Sequence, residues 1–79
     1  GEGIMGTVEK IGNQDIIIGE PDHGAPHVHV IGGGVRLSVS LSDFSVKGSQ
    51  KQAQEAKKAI KWIKKNKDML IKTYNELNG

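Results

Sequence analysis

The distribution of glycine divides the chain into two parts and limits the folds open to it. Ten of the eleven glycines lie within the first 48 residues, and none lies between Ser49 and Asn78. Glycine favours turns and weakens helix interiors, so the first part predicts short strands with tight turns and the second predicts helix. This order indicates an α+β domain: a small, mostly antiparallel sheet of three to four strands, followed by one or two C-terminal helices packed on one face.

The first part contains four short β-prone segments. Gly12-Asn13 is typical of a hairpin turn between the first two, and Gly32-Gly33-Gly34 joins the last two. We predict a single domain over residues 1–79, with a mobile stretch at 1–6 and the sheet at about 7–47. The segments are Thr7–Ile11, Gln14–Ile18, His27–Ile31 and Val35–Leu41, and Asp43–Lys47 extends or bends the last one.

From Ser49 the spacing of apolar residues changes to about 3.6, which predicts helix over residues 49–78. Ser49 and Gln52 have the spacing of a capping box. An unbroken apolar stripe would include Lys67, so we predict a break near Asn66, as a left-handed stop or a fresh N-cap, and a second helix over Lys67–Leu77. The first stripe is Ala53, Ala56, Ala59, Ile60 and Ile63, opposite Lys57, Lys58, Lys61, Lys64 and Lys65; the second is Leu70, Ile71, Tyr74 and Leu77.

Trp62 falls beyond the first stripe, beside Lys58 and Lys65. An aromatic ring among lysines is compatible with nucleic-acid contact. A sole Trp in a small domain more often belongs to the core, and we favour that interpretation for Trp62 and for Tyr74.

All three histidines lie within seven residues, which concentrates the side chain that titrates near neutral pH. His23 lies in a Pro/Gly turn, whereas His27 and His29 alternate with valines along a strand. The strands on either side of the glycine loop must direct their apolar residues toward the same core. This requires an even number of residues in the loop, and pairing Val30 with Val35 satisfies the requirement. This register predicts His29 opposite Arg36 and His27 opposite Ser38. The face away from the helices would then carry His27, His29, Arg36, Ser38 and Ser40.

Three hypotheses stay open for this face. In the first, His23, His27 and His29 bind a transition metal such as zinc or nickel. In the second, the face binds a phosphate or a carboxylate. For phosphate, His27 and His29 are proton-transfer groups and Arg36 is a clamp, the roles that a metal-free ribonuclease needs. In the third, the polar side chains only decorate a solvated sheet. The anion-binding or nucleic-acid-binding residues of the second hypothesis are His23, Arg36, Ser38, Lys58 and Lys65.

Composition excludes several kinds of site. The chain has no cysteine, which rules out disulfides, thiolate metal sites and cysteine nucleophiles. No apolar run approaches the ~20 residues of a membrane span, so we expect a soluble, cytoplasmic protein of bacterial type without a membrane partner. Residues 50–79 carry eight lysines against three carboxylates, whereas residues 1–49 carry three basic side chains against six carboxylates. The basic part either attracts polyanions or keeps a small helix soluble.

Several motifs together resemble the small bacterial family known as domain of unknown function 4160. The family pattern is an H-x-P-P-H-F-H-V-like stretch, a glycine-bounded loop and a W-I-x-x-H-R-x-E-L-like segment, and it covers about residues 14–77. Asn66, Met69 and Tyr74 depart from the pattern, which tends to have His, Glu and Trp there. The matching residues are His23, Pro26, His27, His29 and Val30, with Ala25 for Pro and Val28 for Phe; then Lys47-Gly48; then Trp62-Ile63, Asp68 and Leu70.

The resemblance implies no established activity. It implies a small protein encoded beside other short genes, in arrangements that suggest toxin–antitoxin modules. We therefore favour an RNA-acting or RNA-binding component of such a module, with RNA and a small protein encoded nearby as partners. The alternatives are a metal-binding module and a protein-binding domain without chemistry, such as a homodimer that buries the histidine-bearing face.

Overall fold

Across the residues that the structure describes, five antiparallel strands, each paired with its neighbour in chain order, are followed by three helices. A computed structural model describes residues 6–18 and 25–78 of the chain. The strands are β1 (Gly6–Ile11), β2 (Gln14–Ile18), β3 (His27–Gly32), β4 (Val35–Ser40) and β5 (Val46–Lys47), and the helices are α1 (Gln50–Glu55), α2 (Lys57–Lys65) and α3 (Lys67–Asn78). The predicted α+β architecture is confirmed, with one strand more than the three to four expected.

The additional strand arises at the end of β4. The chain turns back after Leu41 instead of extending the strand, and the Ser40 N–H donates to the Ser45 carbonyl at 2.9 Å. Phe44 closes this turn at φ 61°, a left-handed conformation that is uncommon for a bulky residue. Val46 then pairs with Val39, so the predicted extension is a separate two-residue strand at the sheet edge.

The first hairpin agrees with its prediction. Ile11 pairs with Gln14 across Gly12-Asn13, and Gly12 has φ 61°. A two-residue loop with positive φ matches the right-handed twist of the flanking strands. β1 begins one residue earlier than expected, at Gly6, and contains a register shift between Thr7 and Glu9. The rest of the expected mobile stretch, residues 1–5, lies outside the described residues.

The predicted pairing of β3 with β4 is wrong by two residues. Val30 lies opposite Leu37 and not opposite Val35, which pairs with Gly32. The loop contains only Gly33 and Gly34, at φ 60° and 82°, so β3 continues to Gly32. Glycine adopts positive φ without a steric penalty, and a two-residue turn of this kind fits the strand twist better than a four-residue loop. A shift of two preserves side-chain alternation, so the apolar residues still share one face.

The core lies between that face and the helices. Strand residues at alternate positions pack against residues of α2, α3 and the junction before α2. The buried apolar residues are Ile16, Ile18, Val28, Val30, Val35, Leu37, Val39, Leu41, Ala56, Ala59, Ile63, Leu70 and Tyr74. Trp62 packs against this cluster while partly buried, and Tyr74 belongs to it, so the core interpretation of both rings is confirmed.

The helix boundaries follow the predicted signals with three differences. The Ser49 hydroxyl accepts the Gln52 N–H at 3.1 Å, as the capping motif requires, but the Gln52 side chain does not complete the box. Its Oε1 accepts the backbone N–H of Arg36 at 3.2 Å and so binds α1 to β4. Asn66 ends α2 as predicted, although its φ of −113° is not left-handed. A second interruption, at Ala56, was not predicted.

Candidate anion-binding face

The side chains opposite the core form the candidate site. In β3 and β4 the alternate residues are buried, whereas His27, His29, Ser38 and Ser40 are half-buried and Arg36 is exposed. Lys47 shares this face because its neighbour Val46 packs against the core. We refer to six residues as the histidine face: His27, His29, Arg36, Ser38, Ser40 and Lys47.

One row of the histidine face crosses three strands. His29 lies opposite Ser38 in β3 and β4, and Ser38 lies opposite Lys47 of β5. Counting from the two-residue turn, His29 and Ser38 form a non-hydrogen-bonded pair, the type in which Cα atoms approach to about 4.5 Å. Sequence reasoning missed Lys47, because a two-residue strand has no periodicity. The signal that could have found Lys47 is its alternation with the apolar Val46, which assigns Lys47 to the polar face once a fifth strand is assumed.

Arg36 does not lie where the sequence predicted. It pairs with Ile31, and His29 faces Ser38 instead, because of the two-residue change in register. Arg36 is therefore diagonal to His29, at the ~7–8 Å spacing that long side chains still span. Its backbone is held by Gln52, so its exposed side chain extends from an anchored position. His27 correspondingly faces Ser40 and not Ser38.

The two imidazole rings of β3 are close neighbours. Their centroids are 5.1 Å apart with an interplanar angle of 83°, an edge-to-face arrangement. The His27 ring also lies 6.0 Å from the Tyr74 ring of α3. We expected this face to lie away from the helices, but His27 is located beside the C-terminal helix, at the border of the face. The aromatic neighbours restrict its ring orientation.

A hydrogen bond to the backbone sets the tautomer of His27. Its Nδ1 lies 3.1 Å from the Ala25 carbonyl oxygen, which can only accept, so Nδ1 donates. In the neutral ring the proton therefore sits on Nδ1, and Nε2 is the nitrogen without a proton. This arrangement suits an imidazole that accepts or donates a proton at a defined atom.

Carboxylates border the histidine face without lying among its six residues. Asp15 occupies the same side of the sheet, where it lies 4.0 Å from the ammonium group of Lys10. Asp43 lies in the β4–β5 turn and accepts the Ser45 N–H at 2.9 Å. This bond lowers the pKa of Asp43, with smaller contributions in the same direction from the hydroxyls of Ser45 and Ser40. Asp43 therefore stays ionised at neutral pH beside the Ser40 end of the face.

The lowered pKa of Asp43 predicts a pH dependence of stability. The ionised carboxylate stabilises the fold at pH values above the unfolded pKa of ~3.9, and this contribution is lost as the pH falls through the lower folded pKa. Urea unfolding of the wild type and of Asp43→Asn at pH 6 and pH 3 measures the effect. The wild-type advantage should shrink at pH 3. An unchanged difference at the two pH values would contradict the assignment.

The remaining predicted site residues are not brought to this face. Lys58 and Lys65 are exposed on α2, in the helical layer that packs on the other side of the sheet. His23 lies outside the described residues. Within residues 6–18 and 25–78, no three His, Cys, Asp or Glu side chains are grouped to hold a metal ion. Of the three histidines in the predicted metal site, the structure therefore describes two, His27 and His29, whose rings are adjacent.

Comparison with protein families assigns the chain to a family. The model of the domain of unknown function (DUF4160) matches residues 16–75. The chain belongs to the DUF4160 family. All six residues of the histidine face, and the helices up to Asn75, fall inside the matched DUF4160 region, whereas β1 precedes it. The resemblance read from the sequence is thus confirmed.

Curated proteins and solved structures give no significant match to this DUF4160 chain. In the described part of the chain, none of the helices has the length and apolar character that crossing a bilayer requires.

Proposed function

We propose that the histidine face of this DUF4160 domain binds the phosphate backbone of RNA. The observation that carries the proposal is the row His29–Ser38–Lys47, with Arg36 diagonal to its first member. Such a row offers an imidazole, a hydroxyl and an ammonium group in order across the sheet, with a guanidinium beside them. These are hydrogen-bond donors or cations of the kinds that contact phosphate oxygens.

The charges around this row support an anionic ligand. Arg36 and Lys47 are exposed, and none of the six positions holds a carboxylate. The two acidic groups that the structure describes at the border of the face are both engaged, Asp15 with Lys10 and Asp43 with Ser45. A guanidinium presents a fork that matches two phosphate oxygens, and the ammonium adds a point charge.

The narrower hypothesis is an RNA-acting component of a toxin–antitoxin-like module. In it His27 and His29 act as the acid and base of phosphodiester cleavage, and Arg36 stabilises the charge on the phosphate. The 5.1 Å between the imidazole centroids supports this role, because both rings can approach one bound phosphate. The hydrogen bond from Nδ1 of His27 to the Ala25 carbonyl also holds this imidazole in one tautomer.

Removing the two strand cations should weaken RNA binding. We expect Arg36→Ala with Lys47→Ala to raise the Kd for a ten-nucleotide single-stranded RNA at least about tenfold, since charged hydrogen bonds contribute roughly 1.5–3 kcal/mol each. The slope of log Kd against log salt should also decrease by about 1.4, at ~0.7 per phosphate contact. Fluorescence anisotropy at three salt concentrations measures both.

The matched control replaces two exposed lysines of the helices, Lys51→Ala with Lys72→Ala, which removes the same charge elsewhere. If the control weakens binding as much as the strand variant does, the attraction is nonspecific and the proposed site is wrong. Cleavage is tested separately: wild type that cuts the RNA while His29→Ala binds without cutting supports the narrower hypothesis. Binding without cutting by the wild type rejects it.

A transition-metal site is the second candidate, favoured by the adjacent rings of His27 and His29 on one strand face. It requires His23 as a third ligand. Stoichiometric zinc or nickel, a raised Tm with metal and loss of both in His23→Ala would support it. A Tm that is unaffected by either metal would exclude it.

A further inference from the structure

A second surface, on the helices, differs in chemistry from the histidine face. A groove of about 410 Å³ runs along α1 and α2 across the interruption at Ala56. We refer to it as the basic groove. The described residues that line it are Ala53, Gln54, Lys57, Ile60, Lys61 and Lys64.

The floor of the basic groove is apolar although it is accessible to solvent. Ala53 and Ile60 are only partly buried, and Ile60 packs against the core from its edge. The buried stripe of α2, Ala59 and Ile63, faces the sheet, so the groove lies on the outer side of the helical layer. An accessible apolar floor favours a ligand that inserts apolar side chains. A phosphate backbone has no such side chains.

The rim of the basic groove carries charge of one sign. Lys57, Lys61 and Lys64 are spaced by four and three residues, so their side chains lie on one helix face. None of the lining residues named above is acidic, which gives this part of the rim a charge of +3. Lys64 also lies 5.9 Å from the centre of the Phe44 ring, which locates its ammonium group near the β4–β5 turn.

From this combination we propose that the basic groove binds an acidic amphipathic segment of a partner protein. Its apolar residues contact Ala53 and Ile60, while its carboxylates pair with the three lysines. A helical segment with acidic residues at i, i+4 and i+7 would match the spacing of Lys57, Lys61 and Lys64. The groove is independent of the proposed RNA site, because it lies on the opposite side of the sheet.

The test uses a fourteen-residue helical probe peptide with three leucines on one face and flanking glutamates. Two matched probes replace either the leucines by serine or the glutamates by lysine. We expect only the original probe, which carries both leucines and glutamates, to shift the backbone NMR signals of Ala53 and Ile60. Equal shifts with the leucine-free probe would mean charge attraction alone and would overturn the proposal, as would no shift at millimolar probe.

Charge reversal in the groove provides the second measurement. Lys57→Glu with Lys61→Glu should weaken probe binding about tenfold, since it removes two surface ion pairs and adds repulsion. Lys51→Glu with Lys72→Glu is the control of equal charge outside the groove, and His29→Ala should bind the probe like the wild type. Equal weakening by the two charge-reversed proteins would reject the groove as the binding site. Because RNA is absent from this assay, its result does not depend on the RNA proposal.

Discussion

Replacing Gly32 with alanine should lower the free energy of unfolding by about 3 kcal/mol. Gly32 has φ 131°, a region that L residues avoid, and such strain costs on the order of 1–3 kcal/mol. A Cβ at this position would also collide with the Asn13 carbonyl oxygen in the neighbouring hairpin turn. This atom belongs to the backbone and cannot move aside, and overpacking of this kind adds roughly 1–3 kcal/mol.

Gly34→Ala separates the two causes. Gly34 also has positive φ, at 82°, but no atom lies within 4 Å of a Cβ built there. We expect the free energy of unfolding to fall by only about 1 kcal/mol, which is the cost of the backbone conformation alone. Urea unfolding followed by Trp62 fluorescence measures both variants. Equal losses at the two positions would show that the contact with Asn13 is unimportant.

The second large effect concerns the contact of α2 with the sheet. Ile63 is fully buried in the core, and Ile63→Ala should lower the free energy of unfolding by about 3 kcal/mol, within the ~2–5 kcal/mol typical of such truncations. Ile60→Ala, three residues earlier on the half-buried edge, should lose about 1 kcal/mol.

A domain of this size can unfold completely after a loss of 3 kcal/mol. Ile63→Val removes one methyl group and should lose about 1 kcal/mol while leaving a folded protein to measure. Far-UV circular dichroism during urea titration reports the result for all three variants. If Ile63→Val and Ile60→Ala leave stability unchanged, α2 does not hold the core together as described.

The sequence was sufficient wherever a local signal acts alone. Alternation assigned the apolar strand residues to one face, the Ser49 hydroxyl marked the start of the helices, and the conflict at Lys67 located the break at Asn66. Each of these signals is contained in a few consecutive residues. The interruption at Ala56 had no such signal, because alanine is the most favourable residue in a helix interior.

The sequence was insufficient where a choice depends on distant contacts. Pairing Val30 with Val35 or with Leu37 satisfies alternation equally, and the turn conformation of the glycines decides between them. For the candidate site this ambiguity matters, because the pairing decides whether Arg36 or Ser38 lies opposite His29. The acceptor of the Arg36 N–H, a glutamine sixteen positions later, could not be inferred from spacing.

The bond between Gln52 and Arg36 also has a consequence for solubility. β5 covers β4 only at Ser38 and Val39, so the backbone of β4 before Ser38 would otherwise present an open strand edge. Open edges recruit strands from other molecules and initiate aggregation. Because the Gln52 amide occupies the Arg36 N–H, a second chain cannot extend the sheet there without first displacing a side chain of α1.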